Sequence, residues 1–352
     1  MAPRIPHAKI RSFIISLFRE SPRLTTKALT QRIIEEFPLK EVTAKEHIKR
    51  LTYRRVLEGL AEGRENVYQL KKLRLDKFTF RPAADRDALR ILHEVIAPAL
   101  SFQGKACSEI LGSCFAAVYS NAVEHSGATE IKVELQTTVL NTALIIRDNG
   151  IGIFRKIQKD LDLDDEEQAL LDLAKGKCTS DPARHQGGGI FFSCKACGYF
   201  QITSGDLVYS QSQGLNCGCY EEPPCPYPSG TEVVMCVSRH AARTMAKIYE
   251  QYSSAEGAFT RTRIPVALLC RRNLNPVSRA QARRLLTRLD QFKCVELDFA
   301  GIDMMGQAFA DEVFRVYAQK HPEIRITAVN ANRDILKMVK HVLTDSTQAI
   351  FS

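Results

Sequence analysis

Four short stretches carry residue types that do chemistry only when a fold positions them. Asn121 stands in AAVYSNAVEHSGA (116–128), a carboxamide where an amphipathic helix would continue its apolar face; Glu124, His125 and the breakers Ser126 and Gly127 follow. Asp148 ends an apolar strand in RDNGIGIF, with Gly150 and Gly152 at alternate positions after it. Gly187, Gly188 and Gly189 make the run in HQGGGIFFS that opens a helix, and Thr231 stands in the strand SGTEVVMCV. Singly they read as a polar helix end and ordinary turns. Cysteines offer a second chemistry. Cys194 and Cys197 form C-x-x-C, and Cys217, Cys219 and Cys225 follow in GLNCGCYEEPPCPYP. Four such thiolates would make a tetrahedral zinc site. The first pair continues the glycine-opened helix and the second cluster is C-x-C, so free thiols are favoured over zinc.

The elements that must hold these residues follow from periodicity. Residues 78–82 read as a strand, 84–98 and 103–125 as helices, and EIKVELQTT and TALIIRDN as neighbouring strands with alternating apolar positions. Asn on a helix, D-x-G-x-G at a strand end, a glycine run opening a further helix and Thr in a closing strand come in one fixed order. That order resembles the GHKL-type ATP-binding domain, a Bergerat-type α/β sandwich found in gyrase, histidine kinases, anti-sigma-factor kinases and mismatch-repair ATPases. The resemblance covers residues 78–238.

It implies ATP and Mg²⁺ as ligands. Asn121 would coordinate Mg²⁺ through its side-chain oxygen, a neutral hard ligand suited to a cation that already holds phosphate oxygens and waters. Asp148 would accept a hydrogen bond from the adenine amine, Thr231 would support that Asp, and Gly150 and Gly152 would let backbone pass close to the base. Gly187, Gly188 and Gly189 would turn bare N–H groups and a helix start toward the phosphates. Residues 153–186 would form the lid, with Lys175, Lys177 and Arg184 as phosphate contacts; a solvated lid face is the other reading of those charges. One position departs from the ATP-hydrolysing members. They carry a Glu one turn before the Asn to activate water, and here Ala117 stands there. Fast hydrolysis is disfavoured, while kinase chemistry stays open because histidine-kinase domains also lack that Glu.

The net charge of +9 is concentrated at one end. Residues 1–72 hold 16 Lys and Arg against 8 Glu and no Asp, the footprint of a nucleic-acid-binding module. AKIRSFIISLFRES and TTKALTQRIIEEF read as helices, VTAKEHIKRLTYRR as a third with Lys45, His47, Lys49, Arg54 and Arg55 exposed, and AEGRENVYQLKK as a turn into a strand. This resembles a winged helix-turn-helix, which implies DNA contacts from Lys45, Lys49, Arg54 and Arg55 and from Arg64 in the wing. The same fold used for protein contacts is the alternative.

A third unit spans 262–345. PVALLC, CVELDFAG and IRITAVN read as strands, with helices between and after them. VELDFAGIDMMGQAFADEVF resembles the STAS-like domain of anti-sigma-factor antagonists. The stretch that carries their phosphoacceptor Ser is here Met305, Gly306 and Gln307, so partner docking is expected without a phosphorylation switch there. The fold class is thus multidomain α/β: winged helix, Bergerat-type sandwich, STAS-like domain. No apolar run reaches the roughly 18 residues of a membrane span, the amino terminus lacks the apolar core of a secretory signal, and 11 cysteines without an export signal suit a reduced, cytoplasmic setting. The expected function is that of an ATP-binding, DNA-binding transcription regulator with little hydrolysis, the STAS-like domain docking a protein partner and a homodimer left open. The alternative is an anti-sigma-type serine or histidine protein kinase.

Overall fold

The computed structural model describes residues 6–62, 65–178, 187–213, 227–270 and 275–348. The chain is mixed α/β and forms two units, residues 1–153 with 193–245 and residues 154–192 with 246–352. Among the described residues no helix is long and apolar enough to cross a membrane.

The first unit begins with α1 (His7–Leu17), β1 (Leu24–Thr25), α2 (Thr26–Glu36), α3 (Glu41–Tyr53), β2 (Leu57–Glu62) and β3 (Glu65–Leu70). Apolar residues at helical spacing close its core: Ile10, Ile14 and Leu17 from α1, Leu29 and Ile33 from α2, Ala44, Ile48 and Leu51 from α3. Thr25 caps α2 by accepting the Ala28 N–H at 3.1 Å. The strands pair antiparallel in the order β1-β3-β2.

A six-stranded antiparallel sheet follows, in the order β4-β5-β6-β9-β7-β8, from β4 (Arg74–Phe80), β5 (Ile131–Thr137), β6 (Asn141–Asp148), β7 (Tyr199–Gly205), β8 (Leu207–Ser212) and β9 (Tyr227–Ser238). β4 starts earlier than the expected 78–82, because the edge strand pairs with β5 from Arg74 onward. Between β4 and β5 run α4 (Ala88–Ile91), a π-turn at Leu92–Ile96, α5 (Ala97–Leu100) and the long α6 (Lys105–His125). α6 packs on β6 and β9, burying Ile110, Leu111, Phe115 and Val118. Ala143, Ile145, Val234 and Cys236 form a separate cluster; the period-two alternation of strands puts them on the other face. That is why β6 reads as a nearly continuous apolar run. The β5–β6 turn reaches the amino-terminal core, where Leu140 is buried and Val139 packs against it.

The second unit holds α7 (Ile153–Asp160) from its second residue on, α8 (Glu166–Lys175), the start of α9 (Gly189–Ala196) and α10 (Met245–Tyr252) after its first residue. Then come β10 (Arg261–Pro265), α11 (Arg279–Leu286), β11 (Cys294–Asp298), α12 (Gln307–Ala310), α13 (Ala318–Lys320), β12 (Arg325–Val329) and α14 (Arg333–Gln348). A π-helical stretch, Asp311–Tyr317, joins α12 to α13. The three strands form a parallel sheet, β10-β11-β12, as expected where helices alternate with strands. PVALLC is not the strand expected of it. The ladder ends at Pro265, which lacks a donor, and Val266–Leu269 is a 3-10 turn whose Val266 is buried.

Candidate functional site

Three chain ends of the first unit meet around Asp148. It is the last residue of β6, opposite Ile131 of β5 and Thr231 of β9. Its side chain accepts the Gly150 N–H at 2.8 Å. Burial pushes the carboxyl up to about 6, opposed by hydrogen bonds from Gly150 and Thr231. Thr231 Oγ1 also accepts the Ile153 N–H at 3.0 Å. The loop after Asp148 lies on the C-cap of α6: the Ile151 N–H donates to the Ser126 carbonyl at 2.9 Å. A Cβ on Gly150 would stand 2.3 Å from that same carbonyl oxygen. Gly152 has φ +94° and packs on Ser204, and Gly230, at φ +82°, leaves no room for a Cβ beside the Asp148 carbonyl. The glycines therefore serve the protein's own close approach of backbone to backbone.

Asn121 lies on α6 a little more than one turn before Ser126. It is half-buried, and among the described residues its side-chain amide has no hydrogen-bond partner. Ala117 sits one turn earlier, and Glu124 is exposed beside His125 at 4.0 Å. Reasoning from sequence named Ser126 only as a helix breaker and missed the role of its carbonyl, and it missed Asn149 and Gly230. Asn149 pins the loop by accepting from Thr129 N at 2.9 Å and Glu130 N at 3.1 Å. The polar HSGATE after α6 and the second residue of DNG were the available signal.

The second glycine stretch falls in the other unit. Gly187 (φ +64°) packs on the backbone of Lys177 and Cys178, and a Cβ on Gly188 would meet the Phe192 ring at 2.8 Å. Gly189 opens α9. Phe191 and Phe192 cluster with Tyr252 and Phe259, and Phe259 with Phe292. Lys177 was expected on phosphate. Here its ammonium donates to the Gln291 carbonyl and lies 4.8 Å from the Phe292 ring centroid. Lys175 is buried, its ammonium bonded to Asp172 at 2.5 Å. Burial pulls both lysines below the ordinary ammonium range, Asp172 opposing it for Lys175 and Asp290 for Lys177. Arg184 lies outside the described residues.

In the amino-terminal module Lys45, Lys49, Arg54 and Arg55 are exposed on α3 and the turn after it. Lys45 pairs with Glu41 at 2.6 Å, and Val42 and Tyr53 stand out on the same helix, 70% and 89% exposed. His47 is not exposed as expected. It shares the inward face of α3 with Ala44, Ile48 and Leu51 and packs on His7 with ring centroids 5.0 Å apart. Arg64 lies outside the described residues.

Cys194 and Cys197 are both buried. The Cys194 thiol donates to Gln211 Oε1 at 3.0 Å, and the Cys197 sulfur lies 3.9 Å from that of Cys114. Burial pushes the Cys194 thiol up, and the Cys114 thiol together with burial does so for Cys197. Among the described residues no group of three or more His, Cys, Asp or Glu is arranged to hold a metal. Cys217, Cys219 and Cys225 lie outside them.

At the other end of the chain, Gly306 caps α12 and donates its N–H to the Pro276 carbonyl at 3.0 Å, with Met304 and Val277 exposed nearby. Residues 281–336, from α11 to the start of α14, match the STAS-like domain of unknown function (DUF4325). A comparison with curated proteins finds no match.

Proposed function

We propose that this chain is an ATP-binding, DNA-binding regulatory protein: a GHKL-type domain of Bergerat type whose nucleotide state controls how an amino-terminal winged helix engages DNA and how the STAS-like segment engages a partner. The observation that carries the reading is Asp148, a buried carboxylate pushed up to about 6 by burial and tied through Gly150 and Ile151 to the end of the helix that bears Asn121. A buried acid with no cation beside it among the described residues costs folding free energy, a pattern common at ligand sites. The amine of adenine is a donor suited to it, and the oxo group of guanine at that position is not. Asn121 suits a Mg²⁺ that already carries triphosphate, because its half-buried amide oxygen is a hard, neutral ligand without a protein partner among the described residues. When bound, that ion would neutralise phosphate charge. Gly187, Gly188 and Gly189 are the phosphate-facing stretch on this reading.

Hydrolysis is slow because Ala117 offers no base where the hydrolysing members have one. Duplex DNA is the partner of residues 1–72, through Lys49, Arg54 and Arg55 foremost, since the ammonium of Lys45 is already paired. The test is a DNA titration of the full-length protein at several salt concentrations. Affinity should fall steeply with salt, and Lys49→Glu with Arg54→Glu should weaken it at every sequence tried. DNA binding unchanged by that pair of reversals contradicts the assignment. Transfer of phosphate from ATP to a separate protein would favour the kinase reading instead.

A further inference from the structure

Between Asp165 and Lys177, four side chains before the second glycine run bond to the STAS-like segment: Asp165, Gln168, Lys175 and Lys177. Asp165, the N-cap of α8, accepts two hydrogen bonds from the Arg284 guanidinium at 2.7 and 2.9 Å. Gln168 and Arg284 exchange two more: Arg284 Nε donates to Gln168 Oε1 at 3.0 Å, and Gln168 Nε2 donates to the Arg284 carbonyl at 3.1 Å. Lys175 then closes the end of α11. Besides Asp172, its ammonium donates to the carbonyls of Arg284 at 3.2 Å and Thr287 at 2.8 Å, acceptors that a helix C-terminus leaves over. Thr262 of β10 donates to the Lys175 carbonyl at 2.5 Å. Two residues further on, Gly187 rests on the backbone of Lys177 and Cys178. The path from α11 to the glycine run is thus one buried lysine and one turn of chain.

We propose that the STAS-like segment is the effector of the nucleotide domain, with α11 and Lys175 forming a latch that sets the conformation of Gly187–Gly189. This rests on the nucleotide reading above and adds its regulation. ATP affinity and the packing of α8 on α11 are one linked equilibrium, so a partner that moves α11 changes ATP affinity, and ATP changes partner affinity by the same factor. The latch is built more for specificity than for stability. Taking two charges out of water is expensive, and an apolar pair in their place is often neutral or stabilising. Here, among the described residues, one oxygen of Asp172 is buried without a hydrogen-bond partner. At its other end α11 is preceded by Pro276, whose carbonyl accepts the Gly306 N–H at 3.0 Å beside exposed Met304 and Val277.

Calorimetric titration of the full-length protein with ATP and Mg²⁺ tests this in three forms: unaltered, Arg284→Met and Lys175→Met. Arg284 is partly exposed and its replacement is the milder change. Both variants should bind ATP about tenfold more weakly. In the unaltered protein ATP should slow amide exchange at residues 166–178 and 279–287, and in Arg284→Met it should not, while exchange in β5 stays as it was. If Lys175→Met does not fold, Arg284→Met and the exchange pattern decide. Binding by the unaltered protein with Arg284→Met within about twofold of it, and the same exchange response, overturns the latch alone. No ATP binding by the unaltered protein overturns the nucleotide reading and the latch with it.

Discussion

At residues 148–152 the glycines bring the protein's own backbone segments together and leave a buried carboxylate whose neighbours are N–H and hydroxyl groups. At residues 187–189 they bring a helix start against an aromatic cluster, and both described lysines beside it are already bonded within the second unit. One glycine stretch encloses a buried carboxylate that accepts hydrogen bonds from Gly150 and Thr231. The other packs on the backbone of Lys177 and Cys178 and on the Phe192 ring. A glycine-rich motif therefore does not carry one meaning along a chain; what distinguishes the two is the charge left over after packing. The first arrangement suits recognition of a base. The second suits control from another part of the chain.

The largest effect that would sharpen this contrast concerns Lys175. Lys175→Met leaves Asp172 buried without its cation and should cost about 3–5 kcal/mol of unfolding free energy, measured by urea denaturation. The double change Lys175→Met with Asp172→Leu should recover most of that. Lys177→Met, which removes one hydrogen bond and two ring contacts from a half-buried site, should cost about 1 kcal/mol. Equal losses at the two lysines would break the claim that the latch is centred on Lys175.

A smaller effect is expected at Asp148, and in the opposite direction. Its folded-state value of about 6 lies above its ordinary 3.8, so the folded protein holds that proton more tightly than the unfolded chain. Stability from this group is full below about pH 4 and is lost as pH rises through about 6. Asp148→Asn has no proton to lose. Without nucleotide it should match the unaltered protein near pH 4 and exceed it at pH 7 by about 1–3 kcal/mol. A variant less stable at pH 7 would make Asp148 a structural residue.

The smallest effect follows from the same group. A donor from the ligand favours the ionised carboxylate, so ATP affinity relative to Asp148→Asn should rise between pH 5 and 7, by up to about tenfold per pH unit below 6. A ratio that does not change with pH would separate Asp148 from the ligand.

Local signals were legible wherever neighbours in sequence decide structure. The three amino-terminal helices follow from the spacing of Ile10, Leu29, Ile48 and their partners, and the strand ending at Asp148 follows from its apolar run into an Asn-Gly turn. What could not be read was fixed at a distance. DLAKGK looks like a solvated face because Asp172 and Lys175 are charged, and the carbonyls that bury Lys175 lie 109 and 112 residues away. His47 looked basic and exposed, and the ring that covers it comes from His7. PVALLC has strand composition, yet its proline ends the ladder. The STAS-like segment was legible because its strand–loop–helix pattern is local, and residues 281–336 match that family.

The most direct test of the account is calorimetric titration of the full-length protein at pH 7 with ATP and with GTP, both with Mg²⁺, alongside Asp148→Asn. The unaltered protein should bind ATP and not GTP, and Asp148→Asn should lose about 100-fold in ATP affinity, the scale of a hydrogen bond to a charged group. Absence of ATP binding, equal binding of GTP, or full affinity in Asp148→Asn would contradict it.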